Sequence, residues 1–315
     1  MSGTFADAKQ RLETYDEELM LGQLCWFFIP DDTRVDHTTI VQQMQIAGLD
    51  EIALPPVPRP SDVFKRVCTS NQRKKVPTAN VDVRANYMIR EVGKDRDTIW
   101  RRIVRELVDT EGHNLTYDEL YELEFNREKS KIKALGLTGT TRDKIAEEIV
   151  GAVQGDFKTW INALTSYSVR ELIRHILDGL HATSVRPAGG VYFVGQDKAK
   201  PLAGLDALVN NLSDGCSFVT VPVLDDSQRR EVIKAAYEAE GVGEIDRLIG
   251  EITEMRKAHV SITSDRYAQI AGEFNRLTAK MAEYSDLLDM SLEEVASRLE
   301  IFQESVMELL GQIKD

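Results

Sequence analysis

Two runs of apolar residues near the C-terminus constrain this chain more than anything else in it. Tyr267, Ile270, Phe274, Leu277, Met281, Tyr284 and Leu288 follow one another at steps of three and four. After Asp289, Met290 and Ser291 the rhythm restarts with Leu292, Val295, Leu299, Phe302, Val306, Leu309 and Ile313. Such spacing lays one stripe along a helix that packs lengthwise on another helix. A dimerising coiled coil and a hairpin closed within one chain would both use it. The runs are equally long and mirror each other, Leu288 with Leu292, Met281 with Leu299 and Phe274 with Val306, as an antiparallel helical hairpin of 264–288 with 291–313 requires. Ser291 and Glu294 have capping-box spacing at the second helix's start. The helical run from Asp226 to Ala258, with Gly241 and Gly243 as candidate kinks, is the expected third member of a coiled-coil arm over 225–315. Partner contacts must then come from outside the seam, and Ile301, Met307 and Leu310 form the candidate contact face.

With 315 residues, 42% of them hydrophobic, the chain can bury one large or two ordinary cores. It has no run of eighteen apolar residues, and 1–16 is polar and acidic, so a cytoplasmic protein with no membrane partner is expected. Cys25, Cys68 and Cys216 lie far apart with no C-x-x-C pair, which points to buried thiols over a zinc site or disulfides. The net charge of -13 argues against a protein coated in nucleic acid. Locally the balance reverses. Arg59 to Arg105 carries thirteen Lys and Arg against five Asp and Glu, whereas 1–58 carries three against ten and the stretch from Asp225 eleven against twenty.

Along the chain, 1–54 reads as a small N-terminal αβ segment. It contains an acidic helix or tail, a buried strand over Leu24–Ile29, and a helix over His37–Ala47 stopped at Gly48. Pro55, Pro56, Pro58 and Pro60 make 55–60 an extended linker. A basic antiparallel meander is expected over 61–140: a helix at Ser61–Thr69, an exposed loop at Ser70–Val81, then strands Ala85–Val92, Thr98–Val108, Leu115–Phe125 and Lys131–Leu135. Adjacent Arg101 and Arg102 must point to opposite faces. Over 141–224 helices are expected at Thr141–Val153, Lys158–Leu164 and Ser168–Leu180, the last capped by Ser168. A hairpin turning at Pro187–Gly190, a helix at Pro201–Leu212 and a strand at Ser217–Val223 follow. Helix, helix and hairpin in that order give a winged-helix-like unit. The expected class is α+β: an antiparallel sheet and a winged-helix-like unit, then the helical arm.

Lys65, Arg66, Arg73, Lys74, Lys75, Arg84, Arg90, Arg101, Arg102 and Arg105, with Tyr87 and Trp100 among them, are candidate phosphate contacts. Arg186 at the hairpin tip joins them. Asp118, Glu119, Glu122 and Glu124 on one strand would be the cluster a Mg2+-dependent nuclease needs, and an acidic exposed strand explains them as well. Of His175, Asp178 and His181, the first and last are six residues apart, a turn of about 240° around a helix that takes them off a shared face and opposes a metal site. Gly136–Arg142 lacks the P-loop pattern and reads as a loop with a Thr N-cap. With no G-x-S-x-G, H-E-x-x-H or dinucleotide fingerprint, no catalytic, cofactor or metal residue is assigned.

The stretch Val185-Arg-Pro-Ala-Gly-Gly-Val-Tyr-Phe-Val194, with Asn86-Tyr-Met-Ile-Arg-Glu91 and the C-terminal helices, resembles an uncharacterised family of proteins from actinobacteria and their phages. The resemblance implies a cytoplasmic, phage-linked setting and no transferable activity. The expected function is a non-enzymatic binding protein whose helical arm contacts a protein partner or a second copy. Nucleic-acid binding through 59–105 and the 183–194 hairpin is the alternative, and a Mg2+-dependent nuclease the third.

Overall fold

The structure, a computed structural model, describes residues 19–49, 52, 54–109, 111–137, 142–186, 190–257 and 263–310. The acidic segment 1–18, the turn residues 187–189 and Ile313 lie outside these, as do the side chains of Leu309 and Leu310. In chain order the elements are β1 (Met20–Phe28), β2 (Arg34–Asp36), α1 (His37–Ile46), α2 (Pro60–Ser70), β3 (Arg73–Pro77), β4 (Val83–Lys94), β5 (Thr98–Asp109), β6 (Asn114–Asn126) and β7 (Lys131–Gly136). Then come α3 (Lys144–Trp160), β8 (Ala163–Thr165), α4 (Ser166–Gly179), β9 (Thr183–Ser184), β10 (Tyr192–Gly195), α5 (Ala199–Asn210), β11 (Ser217–Leu224), α6 (Ser227–Lys257), α7 (Ser264–Leu288) and α8 (Glu293–Leu310). This is a mixed α and β protein with antiparallel sheets and C-terminal helices. No described helix is long and apolar enough to cross a membrane.

The chain forms two compact units, and neither is a continuous block of sequence. One consists of Asp31–Val41 with Leu54–Val169, the other of Met1–Pro30, Gln42–Ala53 and Arg170–Asp315. The N-terminal segment expected to stand alone is therefore divided between them.

In the first unit the meander is a five-stranded antiparallel sheet ordered β3-β4-β5-β6-β7. Strand β3 occupies the stretch expected as an exposed loop. Its alternation is broken by a bulge between Arg73 and Val76, where Lys75 takes φ 57°, so periodicity could not reveal it. Lysines on this edge, and Lys131 and Lys133 on β7 at the opposite edge, discourage further strand addition. Helices α2 and α3 cover one face. Val63, Phe64, Val67 and Cys68 from α2 and Ala146, Ile149, Val153 and Phe157 from α3 bury against Tyr87, Ile103, Leu123 and Phe125. At the centre Phe64 stacks on Phe125 at 4.9 Å, and Phe157 meets Phe125 edge-on at 5.5 Å. Burial pushes the Cys68 thiol up to about 12.

Several expected boundaries are corrected here. Helix α3 starts after Asp143, whose Oδ1 accepts from the backbone N–H of Ile145 and Ala146 at 3.0 Å each, so the N-cap is Asp and not Thr. It continues past Gly155 to Trp160, because burying Phe157 outweighs the roughly 1 kcal/mol a helical glycine costs. The helix expected at Lys158–Leu164 is thus replaced by the end of α3 and by β8, which pairs with β2. The two helices ahead of the β9–β10 pair are therefore α3 and α4. Helix α4 begins earlier than expected, and Thr165 Oγ1, not Ser168, takes its first-turn N–H.

In the second unit β1 lies between β10 and β11 in a sheet ordered β11-β1-β10-β9. Gly22 on β1 is tightly enclosed. A Cβ there would lie 2.2 Å from the Val194 carbonyl oxygen and 2.7 Å from the Phe193 ring. Leu21, Phe193 and Val223 of this sheet share one core with α6, α7 and α8. The contacts Glu240–Lys280, Glu251–Arg266 and Tyr237–Tyr284 run α6 antiparallel to α7. Asp246–Arg298 and Arg256–Glu308 run α6 parallel to α8. Helix α6 is unbroken over 31 residues. Gly241 does not interrupt it but faces Val295 of α8, 3.5 Å from where its Cβ would sit. At the start of α8 the Ser291 hydroxyl donates to the Glu293 carboxylate at 3.3 Å, which is not a capping-box bond.

Gly22→Ala is expected to destabilise by about 1–3 kcal/mol through overpacking. Gly151→Ala, on the exposed side of α3 with nothing within 4 Å of the new methyl, should stabilise by up to about 1 kcal/mol. Urea titrations of both variants measure the difference.

Candidate functional site

The structure separates the candidate cations into those already neutralised and those still available. Arg101 points to the covered face, its guanidinium 5.7 Å from the Phe64 ring centre, and it donates to Glu91 at 3.1 Å. Arg102 points the other way and donates to Glu119 at 2.6 Å and Glu122 at 3.1 Å. Arg105 joins Asp118 at 2.8 Å to Asp143 at 3.0 Å. Arg90 pairs with Glu106 at 3.4 Å and Arg73 with Glu148 at 2.7 Å. Strand alternation puts Arg84 on the face opposite Arg101, so the basic stretch is not one surface. Lys74 and Lys75 are exposed on the β3 edge, and Arg186 is exposed in the other unit.

The same pairs account for the acidic strand. Asp118, Glu119 and Glu122 face arginines, while Glu124 lies opposite Trp100 on β5 and Lys133 on β7. Among the described residues no three His, Cys, Asp or Glu side chains group closely enough to hold a metal ion. His181 instead meets Glu283 at 2.6 Å.

One cleft gathers cations without matching carboxylates. Arg34, Asp62, Lys65, Arg66, Thr69, Ser70 and Trp160 line a cavity of about 500 Å3. Asp62, Lys65, Arg66, Thr69 and Ser70 recur at helical spacing on α2, opposite the buried Val63, Phe64, Val67 and Cys68. The amphipathic helix that closes the sheet core thus supplies the cleft's polar wall. Across from it Arg34 Nη1 donates to the Thr33 carbonyl at 2.7 Å, and the guanidinium lies 4.9 Å from the Trp160 ring centre. The Arg34 guanidinium is held below its usual range, first by burial and then by the Arg66 charge, with Asp32 acting in the opposite sense. Two guanidiniums that repel each other, a nearby lysine and one lining carboxylate suit an anionic ligand with a planar part.

Sequence reasoning found Lys65 and Arg66 but missed Arg34 and Trp160. Arg34 lies in the acidic N-terminal block, and the basic count began at Arg59. Only the pairing of β2 with β8 carries Arg34 to the end of α3.

Tyr87 reports on the neutralised set. Its hydroxyl donates to Asp143 at 3.0 Å, and burial, reinforced by that carboxylate, pushes it up to about 12. The unfolded chain ionises near 10. The Tyr87 contribution to stability is therefore complete below pH 10 and is lost as pH rises from 10 through 12. Cys25 and Cys68, pushed up from about 9 to about 12, add a decline that begins near pH 9. Tyr87→Phe should lower stability at pH 8 and flatten part of the decline above pH 10, as read from denaturant midpoints across pH.

No curated protein and no solved structure matches the chain. A sequence model does match over residues 20–315, and the chain belongs to that family, the family of unknown function DUF6744.

Proposed function

We propose that this protein binds nucleic acid, seating phosphates in the cleft formed by Arg34, Lys65 and Arg66 beside Trp160. The observation that carries this reading is the cleft's unmatched charge. Arg73, Arg90, Arg101, Arg102 and Arg105 on the sheet are paired with carboxylates, whereas three cations here face a single lining carboxylate, Asp62. The net charge of -13 does not oppose it. The unit holding the cleft has twenty-one Lys and Arg against twenty Asp and Glu, and the acidic excess belongs to the other unit, with eighteen against thirty-two. The nuclease reading has less support, since its carboxylates are engaged by Arg102 and Arg105.

Protein contact through α8 is the weaker reading. Ile301 and Met307 are 44% and 58% exposed, but six residues put them about 120° apart around the helix, so they make no continuous patch. The coiled-coil description of α6, α7 and α8 and a cytoplasmic, phage-linked setting fit a nucleic-acid role equally well.

Anisotropy of a fluorescein-labelled twenty-nucleotide strand, titrated across salt, tests the proposal. Binding should weaken steeply with salt. Lys65→Glu with Arg66→Glu should weaken it at least tenfold and reduce the salt slope. Absence of binding at low salt, or binding indifferent to both substitutions, overturns the proposal.

A further inference from the structure

A second cleft in the same unit extends this reading. Lys129, Lys131 and Lys158 stand around a cavity of about 480 Å3 floored by Ile132, Phe157 and Ile161. All three lysines are exposed, and none has an ion-pair partner among the described residues. Charge of one sign above an apolar floor is an arrangement for an anion that also carries apolar surface.

The two clefts meet the same turn of the same helix. Trp160 lines the first and Lys158 the second, and two residues turn a helix by about 200°, so the clefts lie on opposite flanks of the last turn of α3. A helix is roughly 10–12 Å across with its side chains, so one extended polyanion passing over this turn reaches both sets of cations. Carbonyls ending the helix are partially negative and disfavour a phosphate directly above them. Phosphates therefore belong in the flanks, with Arg34, Lys65 and Arg66 on one side and the three lysines on the other.

We infer that the ligand is a single-stranded nucleic acid laid across the C-terminal turn of α3, its phosphates held in both clefts. This rests on the nucleic-acid proposal above and adds the second cleft and the strand class. Trp160 in one cleft and Ile132 and Ile161 in the other offer surface that unstacked bases can cover, and a duplex keeps its base faces hidden. The three lysines are solvated, so replacing them removes charge without opening a core.

The test compares labelled dT4, dT12 and a twelve-base-pair hairpin duplex on the full chain, wild type and the K129A/K131A/K158A variant, with circular dichroism to confirm folding. Wild type should bind dT12 at least tenfold more tightly than dT4, and the duplex at least tenfold more weakly than dT12. The variant should lose most of the gain with length and show a salt slope on dT12 lower by about 2, since three single-strand phosphate contacts contribute about 0.7 each. An unchanged length dependence in the variant removes the second cleft and leaves the first standing. Duplex binding as tight as dT12 overturns the strand class. If no oligonucleotide binds wild type, the underlying proposal itself fails.

Discussion

Asp143 holds the first unit's architecture in place. Its Oδ1 satisfies two orphan amides at the start of α3, and its Oδ2 accepts from Tyr87 on β4 and Arg105 on β5. Arg105 reaches on to Asp118 of β6. One carboxylate, 8% exposed, thus fixes the first turn of a 17-residue helix to three neighbouring strands. The far end is fixed by Phe157 against Phe125. With both ends anchored, the helix backbone that carries Lys158 and Trp160 is fixed relative to the sheet. The clefts on either flank inherit that rigidity, which lowers the entropy cost of ordering a ligand there.

The distribution of charge follows from strand alternation. A central strand with two adjacent arginines must send one inward, and the interior accepts Arg101 because a ring face and a carboxylate meet it. The outward neighbour, Arg102, is opposed by Glu119 and Glu122 on the next strand, where unlike charges favour the register. These partly exposed pairs contribute little stability through their charge. Their consequence is that Arg102 on the open face is matched by carboxylates, unlike Arg34, Lys65 and Arg66 in the cleft beside Trp160.

Much of this was legible from residue order. Three meander strands and β7 fall close to the alternating stretches read from the sequence, and the runs at 267–288 and 292–306 do pack within one chain. What could not be read depended on contacts distant in sequence. Strand β3 was hidden by its bulge at Lys75, and β8 is a three-residue strand specified only by its partner β2. Of the cleft, composition revealed the half carried by α2. Arg34 and Trp160 are 126 residues apart, and no local signal joins them. Lys280 was missed for a related reason. The seam marks apolar positions, and Lys280 lies off it, buried where it donates to the Ala182 carbonyl at 2.7 Å beside the stacked Tyr237 and Tyr284 rings.

Lys280 also bears on what the helical part of the molecule can do. A buried ammonium requires partners, and Glu240, the Ala182 carbonyl and two aromatic faces supply them from α6, the α4–β9 connection and α7. Through these shared partners Lys280 ties α6, α7 and the α4–β9 connection to one another. Arg230 adds a second tie, donating to the Leu288 carbonyl at the end of α7 while held by Asp225. Seam residues Ile270, Leu277, Tyr284 and Leu288 are already buried against their own chain. A partner helix could reach them only by displacing α6 or α8, against the cost of exposing the core these helices share. That cost keeps the seam closed within its own chain.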